Sequence, residues 1–381
     1  MTVTSGPLTG PLTGSAAPGA AGREPAHSNP RTTGFSPLPA PRQLRQELAP
    51  ASGLIHSIDR SRAEIHAVLN GVDDRLLVIA GPCSIHDPAA GLDYARRLAA
   101  AAREHREDLL IVMRAYFEKP RTTVGWKGLI NDPRLDGSHD IAEGLRAARR
   151  FLLEAGNLGL PVATEFLEPV SARYLADLVS WGAVGARTTE SQVHRQLASD
   201  LPMPVGFKNG TDGSLDVALD ACRAASAPQS FLGIDDDGRA SVVSTAGNPD
   251  THLILRGGAA GPNFSPADVA AATDALAARG LNPRLIIDAS HANSGKSHVR
   301  QAEVALELAA RLGSGGTTSS AVAGVMLESF LVAGAQKLDE SAHGRLAYGQ
   351  SITDACMGWD ATVPVLRSLA DAARRRREDA R

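Results

Sequence analysis

Cysteine is scarce: Cys83, Cys222 and Cys356 are the three in a chain of 381 residues. Their spacings form neither a disulfide framework nor a CxxC metal knuckle, so a reducing cytoplasm is the expected compartment. Excess positive charge is also missing. The formal net charge is -3 and the pI is near 6.4, which excludes the broad electrostatic footprint of a nucleic-acid binder and leaves room only for a local basic patch. No apolar run approaches the roughly 20 residues that span a bilayer, so no membrane partner is expected. The first residues lack a charged segment followed by an apolar one, so no secretory signal is expected either. What is present, 43% hydrophobic and 21% charged residues, suits a globular protein with a sizeable core.

Residues 1–42 hold eight of the 23 prolines among many Gly, Ser, Thr and Ala, with no hydrophobic period. That composition reads as a disordered tail; a transit peptide fits less well, because Arg is sparse and Pro frequent. Helical periodicity appears over 43–48 and again over 60–69, where Asn70-Gly71 stops it. Residues 43–75 therefore read as an N-terminal helical extension with regulatory or oligomer contacts. From there eight apolar runs, 76–80, 109–113, 161–164, 183–186, 205–207, 253–255, 285–287 and 322–327, alternate with Ala- and Leu-rich helical stretches. This rhythm predicts an α/β fold, a (β/α)8 TIM barrel over 76–381, with a doubly wound open sheet as the rival. Residues 229–245 break the rhythm. Two short runs there, 231–234 and 241–243, flank Asp235-Asp236-Asp237-Gly238 and predict an inserted β-hairpin.

The ends of the runs carry the chemistry. Four end in a cation: Met113-Arg114, Ala186-Arg187, Phe207-Lys208 and Leu255-Arg256. Buried charges are rarely left unpartnered, and the carboxyl ends of barrel strands converge on one face. The four cations are therefore predicted to surround one anionic ligand, and guanidinium forks with an ammonium suit a phosphate plus a carboxylate. After run two, Lys119, Arg121, Thr122 and Thr123 extend the anion-binding character into a Pro-marked loop. The other runs lead into Cys83, Glu165, His291 and Glu328. A thiol, an imidazole and a carboxylate on strands that neighbour one another in a closed barrel read as a metal set, with Asp354 as a further carboxylate. Such donors suit Mn, Fe, Co or Zn better than Mg or Ca. Taken singly, Cys83 is more often an inert buried thiol and His291 more often a hydrogen-bonded core residue, with Cys83 as a nucleophile paired with His291 the lesser alternative.

Long motifs then carry a resemblance. Gly81-Pro82-Cys83-Ser84-Ile85-His86-Asp87-Pro88, Phe117-Glu118-Lys119-Pro120-Arg121-Thr122-Thr123, Gly185-Ala186-Arg187-Thr188-Thr189-Glu190-Ser191-Gln192, Gly206-Phe207-Lys208-Asn209-Gly210-Thr211, Leu255-Arg256-Gly257-Gly258 and Ser290-His291-Ala292-Asn293 closely resemble the type I 3-deoxy-D-arabino-heptulosonate-7-phosphate synthases. The resemblance runs from about residue 71 to about residue 372. It implies a transferase that condenses phosphoenolpyruvate with erythrose 4-phosphate, using one divalent metal ion held by Cys83, His291, Glu328 and Asp354. It implies that phosphoenolpyruvate meets Arg114, Lys119, Arg187, Lys208 and Arg256 with the backbone of Gly185 and Ala186. Pro120, Arg121 and Thr122 would hold erythrose 4-phosphate, and Glu165 would position a water. Lys119, Cys83, His291 and Glu165 would be the catalytic group.

The resemblance also implies a homodimer or homotetramer, and feedback by an aromatic amino acid through the N-terminal segment and the hairpin. Gly233 points to tyrosine as the effector, with tryptophan as an alternative; the tail before Gln43 lacks the acidic pair that relatives often carry there. Two other functions are distinguishable. A synthase using another sugar phosphate should lack the Lys119-Pro120-Arg121-Thr122 loop, and a non-catalytic aromatic-amino-acid sensor should lack the intact metal set.

Overall fold

The apolar runs are strands, and they close on themselves. The computed structural model describes residues 31–338 and 346–379. In chain order its strands are β1 (Leu76–Gly81), β2 (Leu109–Arg114), β3 (Val162–Glu165), β4 (Trp181–Val184), β5 (Val205–Lys208), β6 (Gln229–Ile234), β7 (Ala240–Thr245), β8 (Thr251–Leu255), β9 (Leu285–Asp288), β10 (Val322–Glu328), β11 (Val332–Ala335) and β12 (Gln350–Ser351). Eight of them form a closed barrel in the order β1-β2-β3-β4-β5-β8-β9-β10, with β10 returning to β1. The pairings are parallel throughout, from Leu76 opposite Leu109 to Gly81 opposite Glu328. Every residue of β1, β2 and β10 is buried, which is why these strands read as continuous apolar runs and not as alternating ones.

The helices are α1 (Pro41–Glu47), α2 (Ser52–Leu69), α3 (Pro88–Glu104), α4 (Ile141–Asn157), α5 (Ala172–Leu175), α6 (Gln192–Asp200), α7 (Asp216–Ser226), α8 (Pro266–Ala278), α9 (His298–Leu312), α10 (Thr317–Ala321) and α11 (Trp359–Asp379). Local chemistry sets where they start. Asp87 accepts from the Ala89 and Ala90 amides ahead of Pro88, and Ser265 with Asp268 forms a capping box at the head of α8.

Helix α2 decides which end of the barrel is available. Its Ile65, Val68 and Leu69 form one buried cluster with Leu77, Leu110, Trp181 and Ile254 from the strands. At roughly 2 kcal/mol for each fully buried side chain, as an upper bound, this contact stoppers the amino-terminal mouth. The carboxyl-terminal mouth remains for the site. Arg149, fully buried, ties the extension to the wall: it donates to Leu48 O at 2.9 Å, Tyr174 O at 2.6 Å and Asp177 Oδ1 at 2.7 Å.

Among the described residues, β6 and β7 pair only with each other, from Gln229 opposite Thr245 to Ile234 opposite Ala240. Helix α1 docks on this hairpin's turn. The Arg42 amide donates to Asp236 O at 2.8 Å, and the Arg42 and Arg45 guanidinium groups meet Asp237 and Asp236 at 2.9 and 2.6 Å.

Several boundaries differ from the sequence reading. β4 spans Trp181–Val184, two residues earlier than expected. Gly185 lies beyond it in a turn, where its carbonyl accepts from the Thr188 and Thr189 amides at 3.0 Å. Helix α6 is absent from the sequence reading: it is short and polar apart from Val193, Leu197 and Ala198. Helix α2 begins at Ser52 instead of residue 60, and the extension begins at Pro41 instead of residue 43. Most of the expected disordered tail, residues 1–30, lies outside the described residues; residues 31–37 carry neither helix nor strand. Among the described residues, no helix is long and apolar enough to cross a membrane.

Candidate active site

At the carboxyl ends of the strands lies a cavity of about 240 Å³. It brings together thirteen of the fifteen candidate residues: Arg114, Lys119, Pro120, Arg121, Thr122, Glu165, Gly185, Ala186, Arg187, Lys208, Arg256, His291 and Asp354. The other two sit beside it. Glu328 lines a small adjoining pocket with His291 and Asp354, and Cys83 Sγ is 3.0 Å from Lys119 Nζ.

The cavity is a positive field. Among the described residues, seven Lys and Arg side chains line it against the two carboxylates of Glu165 and Asp354. At its floor Arg114 is fully buried, with Nη2 donating to Glu328 Oε1 at 2.8 Å and Nη1 to Pro82 O at 2.5 Å. Its guanidinium stacks 3.7 Å from the centre of the Tyr116 ring. Burial opposes the charged form of Arg114, but Glu328 together with Tyr116, Cys83 and Asp288 outweighs it and holds the group above its ordinary range. Lys208 Nζ lies 3.5 Å from Asp288 Oδ2 and 3.8 Å from Glu165 Oε2. Arg114 Nε and Arg256 Nε are buried with no hydrogen-bond partner among the described residues. Such donors are unspent capacity for an anion. Towards the rim Arg121 and Thr122 are exposed, and Arg187 Nη1 reaches Pro120 O at 3.4 Å.

Gly185 fits this wall because of its neighbour. A Cβ there would sit 2.6 Å from Glu165 Oε1, so any larger residue would push the carboxylate out of place.

The possible metal donors meet where β1, β9 and β10 adjoin. Cys83, Glu328 and Asp354 each place a ligand atom within 4.8 Å of the others, which makes them candidate ligands of one ion. Cys83 Sγ is 3.5 Å from Asp354 Oδ2. His291 stands at the edge of the trio, with Nε2 4.0 Å from Glu328 Oε1 and Nδ1 2.9 Å from Asp288 Oδ2. The mixed sulfur, nitrogen and oxygen set fits a divalent transition ion. Burial, and then Glu328, push the Cys83 thiol above its usual range, while Lys119 opposes them.

Sequence reasoning missed several residues that hold this arrangement. Asp288 is fully buried and takes the Ser290 hydroxyl at 2.5 Å and the Ser290 amide at 2.9 Å. Because the Ser290 hydroxyl donates to Asp288, it accepts from His291 Nδ1 at 2.6 Å, which places the imidazole proton on Nδ1 and leaves Nε2, 4.0 Å from Glu328 Oε1, as the free ring nitrogen. His291 itself has φ 53°, a left-handed backbone uncommon for a residue with a side chain. Lys296 also lines the cavity. Three buried or half-buried carboxamides, Asn209, Asn263 and Asn293, lace the ends of β5, β8 and β9: Asn209 Oδ1 accepts from the Arg256 amide at 2.8 Å, and Asn293 Oδ1 from the Asn263 amide at 2.8 Å. The Asp at the end of run seven is a visible signal; the carboxamide lacing depends on contacts across strands and leaves none.

Comparison with known proteins gives the family. Residues 55–367 match the DAHP synthetase I family. The chain is 55% identical over 361 residues to phospho-2-dehydro-3-deoxyheptonate aldolase of Corynebacterium glutamicum, covering 93% of this chain and 96% of that one. It is 52% identical over 337 residues to the Phe-sensitive enzyme of that name from Escherichia coli, covering 88% and 95%. The Tyr-sensitive E. coli enzyme is 50% identical over 344 residues, covering 90% and 95%. A solved structure of phospho-2-dehydro-3-deoxyheptonate aldolase from Francisella tularensis superposes with a TM-score of 0.87 at 45% identity, covering 91% of this chain and 99% of that one. The matched stretch contains both the cation-lined cavity and the Cys83, Glu328 and Asp354 cluster, and the chain belongs to the DAHP synthetase I family.

Proposed function

We propose that this barrel condenses phosphoenolpyruvate with erythrose 4-phosphate and water, giving 3-deoxy-D-arabino-heptulosonate 7-phosphate and phosphate. The observation that carries it is the convergence of seven cations on one barrel mouth beside a buried thiol and carboxylate cluster. Two phosphates and a carboxylate are the anions these reactants bring.

Buried Arg114, Lys208 and Arg256 hold phosphoenolpyruvate at the floor, where burial makes each charge count for more, and the exposed Arg187 with the backbone of Gly185 and Ala186 reaches it from the wall. Arg121 and Thr122, with Pro120 shaping the loop, hold the phosphate of erythrose 4-phosphate at the rim. Lys119 lies between the two. Cys83, His291, Glu328 and Asp354 would hold one divalent ion, Mn, Fe, Co or Zn, which when bound supplies Lewis-acid polarisation of the aldehyde. The C3 carbon of phosphoenolpyruvate forms a bond to the aldehyde carbon, and Lys119 gives a proton to the aldehyde oxygen as charge develops there. A water positioned by Glu165 adds at C2 and leaves a proton with that carboxylate. The C2–O bond to the phosphate then breaks as the new C2 hydroxyl passes its proton to the departing phosphate oxygen and becomes the ketone carbonyl, releasing inorganic phosphate; the proton left on Glu165 balances the one given by Lys119.

Release of phosphate from the substrate pair tests this reading. No release, or equal release with a five-carbon aldose phosphate, counts against it. Arg121→Ala is expected to raise the KM for erythrose 4-phosphate about 10- to 100-fold, the loss of a charged hydrogen bond to phosphate. The KM for phosphoenolpyruvate should stay within about twofold, and steady-state kinetics with each substrate varied will read the split.

Feedback belongs to the same reading. The docking of α1 on the hairpin turn supports a site in which an aromatic amino acid is sensed between extension and hairpin, and Gly233 favours tyrosine. Tyrosine is expected to inhibit the full chain more strongly than phenylalanine or tryptophan, and inhibition should fade when the residues before Gln43 are deleted. Equal inhibition with and without that segment would remove it from the mechanism. The outward cross-strand pair Leu232 and Val242, 85% and 77% exposed, supports assembly as a homodimer or homotetramer, and three buried free cysteines support a cytoplasmic setting.

A further inference from the structure

Beside the cavity runs a chain of contacts that touches no substrate position. Glu118 precedes Lys119, yet its side chain turns away into the protein and is 3% exposed. It takes hydrogen bonds from the Leu167 amide at 3.4 Å, the Glu168 amide at 3.2 Å and the Ser171 hydroxyl at 2.9 Å, the last shared with Glu168 O at 2.8 Å. All three donors lie in the loop that follows Glu165. From there the chain continues outward. The Leu167 carbonyl lies 2.8 Å from His194 Nε2, and His194 Nδ1 lies 2.9 Å from the Ser191 hydroxyl. A carbonyl can only accept, so Nε2 carries the proton and Nδ1 accepts from Ser191. Burial pulls the His194 imidazole below its ordinary value, which favours this neutral ring. Ser191 ends the turn that begins at Gly185 and Arg187, its amide bonded to Thr188 O at 3.0 Å.

Three βα loops are thereby joined in series. They carry Lys119, Arg121 and Thr122; the segment directly after Glu165, the last residue of β3; and Gly185, Ala186 and Arg187. We infer that Glu118 and His194 are positioning residues, a buried strut that sets the Lys119 to Thr122 loop against the Glu165 and Arg187 loops and so fixes the aldose-phosphate end of the cavity.

The chemistry of Glu118 suits that role. Burial pushes its carboxyl up to about 7 even though Ser171, Leu167 and Glu168 pull it down, so the donors on the neighbouring loop favour its ionised form against burial. A carboxylate offers acceptors on both oxygens. A glutamine side chain would turn an amide N–H toward one set of donors, so Glu118→Gln breaks the strut with little change of shape. The loop is closed tightly behind it: the Lys119 amide donates to Lys127 O at 2.8 Å, and a Cβ on Gly128 would lie 2.7 Å from Glu118 Cα. Displacement at Glu118 is therefore passed to Lys119 and Arg121 and not absorbed locally.

This inference rests on the proposed condensation, and wild-type phosphate release in the same assay tests that reading separately. With the full chain, Glu118→Gln should raise the KM for erythrose 4-phosphate at least tenfold and lower kcat, leaving the KM for phosphoenolpyruvate within about twofold. His194→Phe should move the same parameters at least threefold. His194→Gln, whose amide can still donate to Leu167 O, should restore them. The double variant Glu118→Gln with His194→Phe should be no worse than Glu118→Gln alone, because a strut already cut cannot be cut again. The strut is refuted if the folded variants keep both KM values within twofold, if both KM values rise together, or if the two effects multiply. Should Glu118→Gln fail to fold, the contrast between His194→Phe and His194→Gln decides: equal kinetics in these two refute it.

Discussion

Cys83→Ala is expected to leave a folded barrel that no longer retains metal and turns over at least about 10³-fold more slowly, the several kcal/mol that a Lewis acid contributes to such a step. The side chain is fully buried, yet its sulfur faces charged groups: Lys119 Nζ at 3.0 Å and Asp354 Oδ2 at 3.5 Å. Removing one buried sulfur from a mixed polar site costs the fold about 1 kcal/mol. Removing it from the ion costs one of the donors that Glu328, Asp354 and His291 alone do not replace. Elemental analysis after dialysis should find about one divalent ion per wild-type chain and a small fraction of that in the variant, while the urea midpoint of the metal-free proteins shifts only slightly. Full turnover by the variant in the presence of a chelator would sink the assignment of Cys83.

The barrel is legible because all-parallel strands covered on both faces write themselves as apolar runs. β1, β2 and β10 stand out in this way. β4 does not. Its four residues, Trp181–Val184, include Gly182, where a Cβ would lie 3.2 Å from the Phe166 ring. Nothing local distinguishes that packing need from a turn, so the run reads two residues late, over 183–186. Helix α6 is invisible for another reason. With nine residues and little apolar surface it owes its helix to packing against α7, a tertiary cause that propensity does not record.

Within the site, what can be read is what ends a strand. Arg114, Lys208 and Arg256 interrupt or terminate buried runs, and a cation there demands a partner. Its partners are harder to see. Asp288 reads as one more strand end, but the structure places it fully buried against Lys208 and His291. Glu118 reads as a loop carboxylate beside a lysine, and its burial follows from a loop more than forty residues later in the chain. Binding residues thus leave a mark in local pattern, whereas residues that hold them depend on distances across strands.

Lys119→Met should produce the complementary defect to Cys83→Ala: metal retained at about one ion per chain, but kcat reduced about 10²- to 10³-fold, as when a donor aimed at a developing oxyanion is removed. The ammonium is 9% exposed and bound to the Cys83 sulfur at 3.0 Å. Burial opposes its charge, but Cys83 and Glu328 hold it above the ordinary lysine range, so it enters the reaction protonated and able to give a proton where the aldehyde oxygen becomes an alkoxide. Methionine keeps the length of the side chain and fills the same slot without the charge. Lys119→Arg should not rescue, since a planar fork needs more room than a slot fitted to one nitrogen allows. The KM for phosphoenolpyruvate should rise less than kcat falls, because Arg114, Arg187, Lys208 and Arg256 still hold that anion. A kcat within tenfold of wild type would mean that Lys119 serves only to bind. A variant that loses both metal and turnover would mean that its ammonium is chiefly a counter-charge for the Cys83 and Glu328 cluster, and not the acid between the two substrates.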